Sequence, residues 1–242
     1  MKLSVLMPVF NERATLEEIL RRVEAVPVDK EIIVVDNSST DGTREYLQNL
    51  LQSGAAQDAE GGGRLRVVLQ SENGGKGSSV RRALELARGE YVVVQDADLE
   101  YDPQDYLKLL ALLEKRRGQK CAAFGNRLAP GSAVRAKQPR TAFYYGRVGL
   151  SIFFRLLYAS ALADVATCYK LMPRALAQSL NLQSRGFDLD FEIAAKLRRA
   201  GARILQVPIS YSPRTELEGK KIRAVRDGLR AAWALLKFRF IR

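Results

Sequence analysis

The chain has 242 residues, enough for one substantial α/β domain, and no composition break divides it. Its 39 Lys and Arg against 27 Asp and Glu leave a net charge of +12, which favours polyanionic partners such as nucleotide phosphates, acidic lipid headgroups or nucleic acid. There is no histidine, so imidazole catalysis and histidine-based metal sites are excluded, and a general base would have to be a carboxylate. Cys121 and Cys168 fit neither a metal spacing nor a disulfide framework, which points to a reducing cytoplasm.

Residues 3–7 form an apolar run too short for a signal peptide and read as a first strand. Thr15 and Glu18 have capping-box spacing ahead of Leu16, Ile19, Leu20 and Val23, predicting a helix. Further strand-like runs at 31–35, 65–69, 91–94 and 122–125 alternate with helical patterns, the signature of a parallel sheet with crossover helices. The polar, Gly- and Ala-rich run 52–64 reads as a surface loop, and Asp102 and Pro103 as the start of a helix over 106–116.

After Gly125 this rhythm fades into helices over 140–163 and 188–200, a strand over 204–207 and a basic tail. The domain is drawn over 1–215 and the tail, 216–242, as an extension. In it Ile222, Val225, Leu229, Trp233, Leu236 and Phe240 fall at helical spacing beside Arg223, Arg226, Arg230 and Lys237. Such a stripe either packs on the domain or lies in an anionic headgroup layer. No run reaches the ~18 uncharged apolar residues that span a bilayer; the nearest, 143–163, is interrupted by Arg147 and Arg155. The chain is therefore not expected to be integral to a membrane.

Gln95-Asp-Ala-Asp-Leu-Glu100 follows the fourth strand and puts three carboxylates where a parallel strand stops, the edge at which α/β sheets bind ligands. On an extended course Asp96, Asp98 and Glu100 project to one side, suited to Mg²⁺ or Mn²⁺ and through it a diphosphate. The competing reading is a solvated turn. Asp36, at the tip of the second strand, is suited to accept hydrogen bonds from a base or ribose, although residues 39–43 read equally as turn and capping chemistry. Asn73-Gly-Gly-Lys-Gly-Ser78 has the makings of a phosphate cradle around Lys76. Its spacing is not that of a P-loop, and no Gly-x-Gly-x-x-Gly follows a strand. Asp188, Asp190 and Glu192 are either a source of a carboxylate base or the favourable first turn of a helix.

Pro8-Val-Phe-Asn-Glu12, Asp36 with residues 39–43, the run 73–77, Gly89-Glu-Tyr91, Asp96-Ala-Asp98 and Gly125-Asn-Arg127 together resemble family 2 glycosyltransferases of GT-A fold. The closer resemblance is to dolichol-phosphate mannosyltransferase-like and other polyprenyl-phosphate glycosyltransferases. It continues through residues 164–170, 186–192 and 207–211, Arg214 and residues 218–221, so nearly the whole chain is covered. The resemblance implies a Rossmann-like, mostly parallel α/β sheet flanked by helices, in a single domain with a C-terminal amphipathic helix. It implies that Pro8, Asn11, Glu12, Asp36, Asn37, Lys76, Asp96 and Arg214 meet a nucleotide-sugar donor. Asp96, Asp98 and Glu100 are implied as metal ligands, with Asp98 catalytic, and Arg127 and Arg140 as binding the phosphate of a lipid acceptor. Asn37 departs from the family, which more often has a second Asp there, and leaves the donor base open. Several relatives continue into transmembrane helices where this chain stops.

The implied reaction is inverting, metal-dependent transfer from a GDP- or UDP-sugar to a polyprenyl or dolichyl phosphate, by a cytoplasmic protein peripheral on the inner face of the cell membrane. A lipid phosphate is already ionised and needs positioning rather than deprotonation. A hydroxyl acceptor needs a base instead, and Asp190 or Glu192 is available. A sugar-phosphate nucleotidylyltransferase needs a Gly-rich, arginine-containing loop after the first strand, which residues 8–12 lack. A non-catalytic basic module binding membrane or nucleic acid accounts for the charge but not for carboxylates gathered at a strand end; no nucleic-acid partner is expected.

Overall fold

The computed structural model describes residues 1–130, 132, 142–214 and 224–241. Among them seven strands form one sheet: β1 (Leu3–Val9), β2 (Lys30–Asp36), β3 (Leu65–Leu69), β4 (Tyr91–Val94), β5 (Cys121–Asn126), β6 (Lys170–Pro173) and β7 (Arg203–Pro208), in the order β3-β2-β1-β4-β6-β5-β7. β1 and β2 are buried along their whole length, as Val- and Ile-rich strands must be when helices cover both sheet faces. The runs expected at 3–7, 31–35, 65–69, 91–94, 122–125 and 204–207 all lie within these strands.

Sequence periodicity gives no sign of β6, which is four residues long and runs antiparallel to both β4 and β5 at the centre of the sheet. With Tyr91 opposite Pro173 and Val92 opposite Met172, Lys170 arrives at the edge where β4 ends.

The helices are α1 (Leu16–Glu24), α2 (Thr43–Gln52), α3 (Lys76–Leu86), α4 (Asp105–Glu114), α5 (Ala142–Tyr158), α6 (Arg174–Ser179), α7 (Leu189–Arg199) and α8 (Ala224–Phe240). α1 buries Leu16, Ile19, Leu20 and Val23, as their spacing predicts. Its expected capping box does not form: Glu18 pairs with Arg21 and Arg22 at 2.8 and 2.7 Å. The Thr15 hydroxyl donates to the Ala97 carbonyl at 2.6 Å, tying α1 to the acidic turn.

α8 packs through Ala231, Ala234, Leu235 and Phe238, in contact with α5 and α7. The Tyr158 hydroxyl donates to the Leu235 carbonyl at 2.7 Å across that contact. The stripe Leu229, Trp233, Leu236 and Phe240 is on the other side and exposed, as are Tyr145, Ile152 and Leu156 of α5. Among the described residues no helix is long and apolar enough to cross a membrane. Arg140, residues 218–221, Ile222 and Arg223 lie outside the described residues.

Candidate active site

Beyond β4 the chain does not stay extended. It turns over 97–100, with Leu99 in the left-handed region at φ +61°, so the three carboxylates splay instead of converging. Asp96 meets Lys76, whose Nζ lies 2.8 and 2.9 Å from its two oxygens. Asp98 accepts the Glu100 backbone N–H at 3.1 Å and lies 3.2 Å from Arg214 Nη2. Glu100 accepts from the Tyr211 hydroxyl at 2.9 Å and the Arg214 backbone N–H at 2.8 Å, which ties it to the 210–214 segment. Among the described residues no three Cys, Asp or Glu side chains gather as a metal cluster. The turn is fixed from below by buried Gln95, which donates to the Asp96 carbonyl and accepts from the hydroxyls of Tyr169 and Tyr106.

Lys76 opens α3 beside this turn. The glycines around it serve close packing: a side chain at Gly75, which has φ +85°, would meet the Arg185 carbonyl at 2.3 Å, and one at Gly77 the Ser184 carbonyl at 2.1 Å. Three N–H groups of the expected backbone cradle have partners within the protein. Gly74 N–H donates to Asn37, Gly75 N–H to Asn73 and Gly77 N–H to the Arg185 carbonyl. The loop also carries the Lys76 ammonium, beside Asp96 and Asp190. Burial opposes its charge, but Asp96, Cys168 and Asp190 outweigh that and hold its pKa well above the ordinary lysine value.

Asp190, in the first turn of α7, stands between two ammonium groups, Lys170 at 2.7 Å and Lys76 at 3.6 Å. Burial pushes its carboxyl up, yet the lysines prevail and hold it below the usual carboxylate range. A carboxylate so paired is a weak base. Glu192 is fully buried, and its oxygens accept the backbone N–H groups of Gln183 and Ser184 at 2.8 and 2.7 Å, with Lys196 at 2.6 Å. It braces the loop on which Gly75 and Gly77 pack.

The tips of β1 and β2 are laced together. Asn11, at φ +52°, donates its backbone N–H to Ser39 Oγ and accepts from Thr40 N–H through Oδ1, while Glu12 N–H donates to Thr43 Oγ1. Asp41 accepts from Thr43 and Arg13, so residues 39–43 act as turn and capping chemistry. Pro8 is buried within β1. Asp36 is fully buried at the end of β2, accepting from Arg44 Nη1 at 2.7 Å and Ser39 N–H at 3.2 Å. Asn37 bridges to the Gly-rich loop through Asn73 at 2.7 Å. Both side chains are committed to holding strand tips, and Arg44 is the more exposed group there.

Arg127, just past β5, is 7% exposed and forms a two-pronged pair with fully buried Asp164, Nε to Oδ2 at 2.7 Å and Nη2 to Oδ1 at 2.8 Å. Its guanidinium carbon lies 5.0 Å from the Tyr211 ring centroid and 5.8 Å from that of Tyr101. Burial would lower its pKa, but Asp164 raises it well above the usual arginine value.

The strand ends thus bring together Glu12, Lys76, Asp96, Asp98, Glu100, Asp190 and Arg214, while Glu192 faces another loop. Sequence reasoning gave no role to Gln95, Asp164 or Lys170. The available signal was a charged or amide side chain embedded in an apolar run, as in Tyr91-Val-Val-Val-Gln95 and Cys168-Tyr-Lys-Leu-Met172.

Comparison with known proteins agrees with this architecture. The low-salt glycan biosynthesis hexosyltransferase Agl6 of Haloferax volcanii is 29% identical over 218 residues, 88% of this chain and 48% of that protein. The dolichol-phosphate mannosyltransferase of Pyrococcus furiosus is 27% identical, over 98% of this chain and 64% of its own length. That of Saccharomyces cerevisiae is also 27% identical, over 90% and 80%. The chain therefore spans about half of the first relative and less than two thirds of the second. Glucosyl-3-phosphoglycerate synthase from Mycobacterium tuberculosis, solved with Mg²⁺ and UDP, superposes over 100% of this chain and 80% of its own with a TM-score of 0.69 at 22% identity. The same enzyme solved with Mn²⁺, UDP and phosphoglyceric acid gives 0.68 at 20%. The fold is the GT-A arrangement of a mostly parallel sheet flanked by helices. The family model for glycosyl transferase family 2 matches residues 4–179, and the chain belongs to that family.

Proposed function

We propose that this protein is an inverting, divalent-metal-dependent glycosyltransferase that moves a sugar from a GDP- or UDP-sugar to a polyprenyl or dolichyl phosphate at a membrane surface. The observation that carries this reading is the pairing of cations with carboxylates beyond β4: Lys76 on Asp96, and Arg214 on Asp98 and Glu12. Cleaving a sugar–diphosphate bond develops negative charge on the leaving phosphate, and Lys76 and Arg214 are the groups to receive it.

Asp96 and Asp98 are about one-fifth exposed and supply hard oxygen donors. They fit a cation that takes one or two carboxylates and completes its shell with water and phosphate oxygens, such as Mg²⁺ or Mn²⁺. Bound there, such a cation would neutralise charge on the leaving diphosphate. Glu100, engaged at both oxygens, is better placed to anchor the 210–214 segment than to ligate.

The acceptor assignment follows from the bases. Asp190 is neutralised by two lysines and Glu192 is consumed by backbone N–H groups, which favours a nucleophile that arrives ionised. Arg127 is the acceptor-phosphate residue in this reading, and Asp164 orients it. The dolichol-phosphate mannosyltransferases among the relatives support a lipid phosphate. The exposed apolar stripes of α5 and α8 support docking on an anionic membrane surface, and the inner face of the cell membrane is the proposed location.

Nucleoside-diphosphate release is the test, measured from GDP- and UDP-sugars with polyprenyl phosphate, with Mn²⁺ or EDTA, in wild type and Asp98→Ala. Release that needs lipid phosphate, metal and Asp98 is expected. Release that ignores all three would sink the proposal, and transfer to a hydroxyl compound instead would move it to the other acceptor class.

A further inference from the structure

Lys170 is a charged residue in the middle of a sheet. Its side chain is fully buried, and its ammonium donates to the Thr167 carbonyl and to Asp190 Oδ1. β6 runs antiparallel, which brings the ammonium under the site. The Asp190 oxygens face two cations, with Lys170 at 2.7 Å and Lys76 at 3.6 Å, while Lys76 sits 2.8 Å from Asp96. Four charges of alternating sign therefore stand in a row, and Asp190 leans toward the inner lysine.

We infer that Lys170 is a positioning residue for donor binding: by holding Asp190 it keeps that carboxylate from closing on Lys76, and so leaves the Lys76 ammonium available to the donor's diphosphate. The inference rests on the proposed role of Lys76 toward the diphosphate. Without Lys170, Asp190 has a single ammonium to pair with, and a side-chain rotation shortens the 3.6 Å separation into a full ion pair. Lys76 is then shared between two carboxylates, and an incoming diphosphate must displace one of them. A neutral side chain at 170 fills the same space but leaves this competition in place.

The test is binding of GDP and UDP by calorimetry, in EDTA and in Mg²⁺, with donor KM and kcat measured alongside. Lys170→Met is expected to weaken binding about 10-fold and to raise donor KM similarly. Lys170→Arg, which keeps the charge, is expected to restore most of the affinity. In Lys170→Met/Asp190→Asn the competing carboxylate is gone, and affinity is expected to return to within about 3-fold of wild type. A double variant as weak as Lys170→Met overturns the inference, because a packing defect would survive removal of the charge. If Lys170→Met does not fold, Asp190→Asn alone decides: binding at least as tight as wild type supports the inference, and weaker binding overturns it. Lys76→Met separates the two levels, since unchanged diphosphate affinity there removes the proposed role of Lys76 itself.

Discussion

Arg214 grips Glu12 with both terminal nitrogens, at 2.8 and 3.1 Å, across 202 residues of sequence. The same guanidinium lies 3.2 Å from Asp98, and its own backbone N–H is held by Glu100. One arginine thus straps the segment after β7 over the tip of β1 and the acidic turn. A planar fork suits this bridging and suits a diphosphate equally, whereas an ammonium offers only a point charge.

Arg214→Ala is therefore expected to lower kcat/KM for the donor by about 10²-fold or more, and Arg214→Lys by about 10-fold. Steady-state nucleoside-diphosphate release reads both. A lysine variant indistinguishable from wild type would show that the fork is not used.

The Arg127–Asp164 pair carries a stability prediction. Asp164→Ala strands a buried guanidinium, which costs about 3–5 kcal/mol when one partner of a buried pair is removed. Urea unfolding measures the loss, and a change below about 1 kcal/mol would show that Arg127 finds solvent or another partner. The pH dependence has a definite sign. Burial pushes the Asp164 carboxyl up, but Arg127 prevails and holds it below the usual value, so its contribution is complete above the usual carboxylate pKa and is lost as pH falls through the folded one. Asp164→Asn is expected to flatten the acid limb of the stability curve.

Where residues are local and periodic, the sequence was legible. β1 to β5, β7 and the buried face of α1 follow from apolar runs and 3.6-residue spacing. β6 escaped because four residues carry no period and its partners lie about 50 and 80 positions upstream. The carboxylates of the acidic turn are visible in the sequence but its shape is not, since Leu99 takes a left-handed conformation that no composition rule assigns to leucine. The glycines of the Gly-rich loop are visible in the sequence, while the Arg185 and Ser184 carbonyls that pack on Gly75 and Gly77 lie some 110 residues away. Long-range ion pairs such as Lys170–Asp190 follow from topology, and pattern alone does not place them.

The tail offers a direct optical test. The stripe identified in the sequence, Leu229, Trp233, Leu236 and Phe240, is exposed, and a different set, Ala231, Ala234, Leu235 and Phe238, does the packing. Trp233 is the sole tryptophan, so its emission reports on this face alone. Vesicles containing anionic lipid are expected to shift it to the blue, with binding weakened by salt because each basic residue near the surface contributes about 1 kcal/mol. Leu229→Asp/Phe240→Asp, at exposed positions, is expected to abolish co-sedimentation with the fold intact. Unchanged emission with anionic vesicles at low salt would remove the membrane from the proposal.

The acceptor class turns on Glu192 and Asp190. Glu192→Gln keeps the shape but leaves one of the Gln183 and Ser184 N–H groups facing an amide N–H, and it drops the ion pair to Lys196. A loss of about 1–3 kcal/mol of stability is expected from that unsatisfied buried donor, with turnover on a lipid phosphate changed by less than about 3-fold. An enzyme that used Glu192 as its base would instead lose about 10²–10⁴-fold in turnover. Asp190→Asn extends the comparison to the other carboxylate. With an ionised phosphate as nucleophile, the pH profile of kcat in this variant is expected to match wild type through the neutral range, because no proton leaves the nucleophile in the transition state. A base role would remove the acid limb together with most of the rate, so the two acceptor classes separate on the shape of that profile as well as on its height.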